Sequence, residues 1–92
     1  MKKEKNIKTF DDYMETLDPV DRDRINCKAL IMSRIIEARK KKGLSQKELA
    51  TIVGMKQPAI ARLENLKTVP TVDTLIDVLY PLGYTLEVVP IK

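Results

Sequence analysis

Apolar residues recur at helical spacing along most of this chain, and only its first nine and last ten residues depart from that rhythm. Phe10, Tyr13, Met14 and Leu17 fall at i, i+3, i+4 and i+7, one apolar stripe of a two-turn helix. Thr9 suits its N-cap, and Asp11 and Asp12 suit its first turn. So short a helix needs a surface to pack on. Before it, Met1 to Thr9 carry four lysines and the isolated Ile7, which reads as a mobile tail.

Asp18-Pro19 starts a second helix: Asp caps, and Pro has the fixed φ and missing N–H of a first helical residue. The pattern runs unbroken to Gly43, with Lys40, Lys41 and Lys42 on the negative end of the dipole. Ala29, Leu30, Ile35, Ile36 and Ala38 are expected to face a core, leaving Val20, Ile25 and Met32 for a partner. Three short helices follow. Ser45 with Glu48 forms a capping box for a helix ending at Gly54. Gln57 to Asn65 is the next, with Ile60 and Leu63 inward, and Thr71 caps Val72 to Leu82, burying Leu75, Ile76, Val78 and Leu79. Pro81 should distort the last turn. Tyr84 to Val89 is β-branched and roughly alternating, and Pro90 ends it. That predicts a strand with no second strand to pair with, whose simplest solution is two-fold pairing in a homodimer through Tyr84, Leu86, Val88 and Val89.

Composition narrows the chemistry. Ninety-two residues hold one small core. With no histidine and Cys27 as the single cysteine, a Cys/His zinc site, an intrachain disulfide and an imidazole base are excluded. No cofactor is called for. No apolar run approaches a membrane span, and the start lacks a signal peptide, so the expected location is cytoplasmic, with Cys27 as a reduced thiol. The acids Asp11, Asp12, Glu15, Asp18, Asp21 and Asp23 lie on an arm or on exposed helix faces, which implies no enclosed catalytic site and no enzyme. The same acids, against Arg22 alone, give Phe10 to Asp23 a local charge of −5, while Lys28 to Lys67 carries ten bases against three acids, +7. A polyanion would favour the second segment and be repelled by the first.

The basic segment has a further pattern. Between Gln46 and Asn65, Leu49, Val53, Met55, Ile60 and Leu63 fill the wedge between two crossing helices. Ala50 is the small residue where they touch, and Gly54 permits the tight turn. The outward face of the second helix is then Gln57, Pro58, Ala61 and Arg62. Gln pairs bidentately with adenine and Arg with guanine, so such a helix can read base edges.

Arg39, the G-L-S-Q-x-E-L-A of Gly43 to Ala50, Val53-Gly54 and the L-E-N of Leu63 to Asn65 resemble the Xre/Cro-type helix-turn-helix family, the group of the lambdoid phage repressors. The resemblance covers about Leu30 to Leu82. It implies that Gln46 and Lys47 meet a phosphate at a helix N-terminus, and that Lys56, Gln57, Ala61 and Arg62 lie at bases or flanking phosphates. It places Asn65 and Lys67 in a backbone-contacting loop, and implies a partly buried ion pair between Arg39 and Glu64. Three positions depart from the family: Lys56 replaces the usual Ser or Thr cap, Pro58 removes an N–H, and Leu66 stands where Gly is common.

The ends resemble HigA-type antitoxins, through the acidic amphipathic segment, the long helix and the L-G-Y-T-L-E-V-V-P of Leu82 to Pro90. That resemblance implies a small basic RNase toxin of the RelE/HigB type as partner, gripped by Phe10, Tyr13, Met14, Leu17, Val20 and Asp21, beside double-stranded operator DNA. The expected fold is mainly α: a lambda-repressor-like bundle with a long, N-terminally extended first helix and a C-terminal strand (84–89) pairing across a dimer. Residues 1–18 form a tail and candidate toxin-binding arm, and 19–92 the helix-turn-helix domain. A stand-alone repressor of the same family, using the arm for its own packing, is the alternative.

Overall fold

A computed structural model describes residues 9–91 of the chain. The tail expected before Thr9 lies outside the described residues. In order come α1 (Phe10–Thr16), α2 (Pro19–Lys41), α3 (Gln46–Val53), α4 (Gln57–Glu64), α5 (Val72–Leu79) and a 3-10 turn, Tyr80–Leu82. Local chemistry sets the starts. Thr9 and Asp12 close a capping box on α1, the Asp18 carboxylate accepts from the Asp21 N–H with Pro19 behind it, and Ser45 and Glu48 close the box on α3. The Thr71 hydroxyl accepts from the Thr74 N–H at the start of α5.

The core is built by α2 through Leu82. Ile35, Leu49, Ile60, Leu63 and Val78 are fully buried at its centre, with Met32, Ala38, Ala50, Leu75, Leu79 and Leu82 around them. Two expectations about facing are corrected. On α2 the inward stripe is Met32, Ile35, Ala38 and Arg39, whereas Ala29 and Leu30 are exposed. At 3.6 residues per turn Met32 lies about 60° from Ile35, and Leu30 about 140°. On α5 the buried face is Leu75, Val78 and Leu79, continued by Leu82, and Ile76 points away beside exposed Val72 and Tyr80. Pro81 has no N–H to continue the α-helical ladder, so α5 ends at Leu79 and the chain tightens into the 3-10 turn.

The C-terminal expectation is also corrected. No strand occurs among the described residues, and 84–91 is irregular. A strand is satisfied by a neighbouring strand's donors and acceptors, and the described residues of one copy supply none. Leu86 packs against the core of its own chain, while Val88 and Val89 are exposed.

The molecule measures 51 × 28 × 22 Å. No residue of α1 is buried, nor any residue of α2 before Met32.

Candidate nucleic-acid interface

The α3–α4 unit is assembled from the turn outward. Gly54 adopts φ +73, which lets its own N–H reach the Thr51 carbonyl and the Met55 N–H reach Ala50 at 2.8 Å. The chain then re-enters a helix at Gln57. Ala50 is buried at the crossing, Leu49 and Ile60 close the wedge, and Val53 and Met55 pack along its edge. The Lys56 side chain makes no capping bond and Pro58 has no N–H, so the start of α4 is held by backbone bonds alone, from the Ala59 and Ile60 N–H groups to the Lys56 carbonyl.

Behind the two helices lies an ion pair. Arg39 Nε donates to Glu64 Oε2 at 2.7 Å, and Nη2 donates to Oε1 at 3.0 Å, a bidentate clasp between α2 and the end of α4. Both side chains are nearly enclosed, at 10% and 4% exposure. The third guanidinium nitrogen, Nη1, donates to the Leu44 carbonyl at 2.9 Å, fixing the α2–α3 turn. No buried side-chain nitrogen or oxygen among the described residues lacks a partner. A charge this deep is tolerated because every bond it needs is made.

The pair does not end there. Gln46 Nε2 donates to Glu64 Oε1 at 3.0 Å, and Gln46 Oε1 accepts from Gln57 Nε2 at 2.8 Å. Four side chains from α2, α3 and α4 therefore form one chain of hydrogen bonds from the interior to the exposed start of α4. Residue spacing alone gives no hint of it beyond Gln46 and Gln57 standing on either side of the turn.

The remaining candidates lie around this line. Lys47, Lys56, Gln57, Pro58, Arg62, Asn65 and Lys67 are exposed, and Ala61 is half-buried between them. Arg39, Gln46, Lys47, Ala50, Lys56 and Gln57 line one open cleft at the mouth of the two helices. Its rim is basic, with a helix N-terminus on either side: suited to a phosphate backbone. At the α3 start, the Ser45 backbone N–H and then its hydroxyl hold the Glu48 carboxyl below the usual carboxylate range.

After α4 the backbone takes a strained turn. Leu66 has φ +58, the only non-glycine with positive φ among the described residues, and its N–H reaches Leu63 while that of Lys67 reaches Arg62. This is the closure that Gly54 makes after α3, built without glycine.

Away from this face, Phe10 is 63% and Val20 60% exposed, Tyr13 is exposed, and Met14 and Leu17 are half-buried. Asp21 is held at 2.7 Å by Arg24, and its backbone N–H keeps the Asp18 carboxyl below the usual range. Among the described residues no cluster of three His, Cys, Asp or Glu could hold a metal, and no helix is long and apolar enough to cross a membrane.

Two helices crossing through a glycine turn, with a basic polar face and a buried ion pair behind it, define a helix-turn-helix protein. The chain belongs to that family, of the Xre type, with residues 35–89 matching it. It is 43% identical over 67 residues to an uncharacterized HTH-type transcriptional regulator of Haemophilus influenzae, a match covering 73% of this chain and 68% of the relative. In structure it is similar to a chain of a toxin-antitoxin module from Streptococcus pneumoniae, at TM-score 0.75 and 41% identity, over 95% of this chain and 97% of that one.

Proposed function

We propose that this protein is an antitoxin that neutralises a RelE/HigB-type RNase toxin by direct binding and represses its own operon as a DNA-binding homodimer. The likeness to the Streptococcus pneumoniae chain carries the proposal, because it extends over 95% of this chain and therefore takes in the arm as well as the helix-turn-helix. The geometry supports the DNA half: Gln57 and Arg62 project from the second helix, with Gln46, Lys47, Lys56, Asn65 and Lys67 flanking them. It supports the partner half through Phe10, Tyr13 and Val20, apolar anchors left uncovered within a segment of charge −5. A basic RNase is complementary to such a rim. Tyr84, Val88 and Val89 are uncovered at the other end and supply the homodimer contact; a partner's backbone would give this segment the ladder that a single copy lacks. Two-fold symmetry then requires a palindromic operator with half-sites about one helical turn (~34 Å) or a multiple apart.

The test is co-purification from the native cell with a C-terminal tag and intact-mass analysis of what stays bound. A near-stoichiometric basic partner of similar size is expected, lost on deletion of residues 1–18. A clean homodimer without a companion would leave a stand-alone repressor. On DNA, Arg62→Ala should relax preference at one base position, costing roughly 1–3 kcal/mol, whereas Lys67→Ala should weaken all sequences alike and flatten the salt slope by about one unit. Binding titrations on operator variants at several salt concentrations distinguish the two.

A further inference from the structure

Glu64 sits at the inner end of a hydrogen-bond chain whose outer end is Gln57, and its two oxygens face two kinds of donor. Arg39 Nε and Nη2 take one bond to each oxygen, and Gln46 Nε2 adds a second bond to Oε1. A carboxylate clasped by a guanidinium offers only acceptors. An amide group brought against it must therefore present its NH2, not its oxygen. That settles the orientation of Gln46 on chemical grounds. Its oxygen must point the other way, where it accepts from Gln57 Nε2 at 2.8 Å. One N–H of Gln57 is thereby consumed, and its Oε1 and second N–H remain free.

The polarity of that remainder matters. One acceptor beside one donor complements the major-groove edge of adenine, which offers the N6 amino group and the N7 acceptor. Had Gln46 turned its NH2 outward, Gln57 would accept from it and present two free N–H donors, which complement the two acceptors O6 and N7 of guanine. The same two glutamines, with the same backbone, would then prefer different bases. We propose that Glu64, buried and without access to DNA, is a specificity-determining positioning residue: through Gln46 it sets which edge of the Gln57 amide meets the base. This rests on the reading of α4 as the DNA-recognition helix, and deepens it. The ion pair would then have two tasks, since Arg39 and Glu64 also join α2 to α4.

The chain contains only two glutamines, which makes the test direct. Operators selected by the wild-type protein from a random duplex pool first define its half-site, and Gln57→Ala identifies the base pair that Gln57 reads. Glu64→Gln removes the all-acceptor face while keeping the shape. It should reduce discrimination between A·T and G·C at that one base pair roughly five- to tenfold, and leave the other positions unchanged. In a Gln57→Ala background the same substitution should have no effect on discrimination. In the free protein, the side-chain NH2 resonances of both Gln46 and Gln57 should move on Glu64→Gln, before any DNA is present. Should Glu64→Gln fail to fold, Gln46→Ala leaves the Arg39–Glu64 clasp intact and should cause the same loss at the same base pair. A uniform loss of affinity with discrimination at that base pair intact, or a change in discrimination that persists without Gln57, would overturn the proposal and leave Glu64 a purely structural partner of Arg39. Selective binding with no base pair sensitive to Gln57→Ala would overturn it too, with DNA binding itself intact. A protein that selects no sequence at all would instead remove the DNA-reading function, and this inference with it.

Discussion

The two halves of this molecule are held by different forces. From Met32 onward, each helix buries side chains against the others, and an enclosed ion pair ties α2 to α4. From Phe10 to Ile31 nothing is buried, and helical order rests on caps and on near-neighbour bonds such as Arg24–Asp21. The first half carries positive charge on a face whose side chains are tied to the core by the Arg39–Glu64–Gln46–Gln57 bonds. The second carries negative charge on a rod with apolar side chains along it. Reading a base edge requires fixed donors and acceptors, so its surface needs a core behind it. A surface for a protein partner can complete its packing when the partner arrives.

Several substitutions would break or sharpen this contrast. The largest effect is expected at the ion pair: Glu64→Leu strands Arg39 in the interior and should cost about 3–5 kcal/mol, whereas Arg39→Met with Glu64→Leu should cost less than either of those single changes. Urea or thermal melts of the four proteins measure it, and simple additivity would refute the coupling. Next come the two helix-ending turns. A Cβ at Gly54 meets nothing within 4 Å, so Gly54→Ala tests backbone conformation alone and should cost about 1–2 kcal/mol. Leu66→Gly relieves the same strain and should gain about 0.5–1 kcal/mol, raising the melting temperature by several degrees.

Acid tests the caps on both sides of the divide. Asp18 and Glu48 both have folded pKa values below the ordinary carboxylate range. The stability they supply is complete above the unfolded value and is lost as pH falls through the folded one. Melting temperature should be flat from about pH 7 to 5 and drop toward pH 3, with a shallower drop in Asp18→Asn/Glu48→Gln. The smallest effect on folding belongs to the exposed start of α2. Val20→Asp should change stability by no more than about 0.5 kcal/mol, while abolishing capture of the proposed toxin partner in the co-purification. Marked unfolding would mean that Val20 packs within its own chain.

Much of this was legible in the chain itself. Thr9, Asp18, Ser45 and Thr71 start their helices through bonds that span three residues, and Gly54 ends one by its own backbone freedom. Interactions that short depend on neighbouring residues only, so the local sequence determined them. The crossing of α3 and α4 was legible too, because Ala50 and the five apolar residues around it repeat at the spacing that a wedge requires.

Tertiary structure decided what neighbours cannot. Which stripe of α2 turns inward depended on where α4 and α5 lie, so Met32 became core and Leu30 surface. Tyr84 to Val89 has the composition of a strand, but a strand needs a second one, and the described residues of a single chain offer none. The bonds of Glu64 reach 25 residues to Arg39 and 18 to Gln46. No periodicity records such distances. Sequence determined the helices and the kind of surface they could carry, and packing decided which atoms of Gln57 face outward.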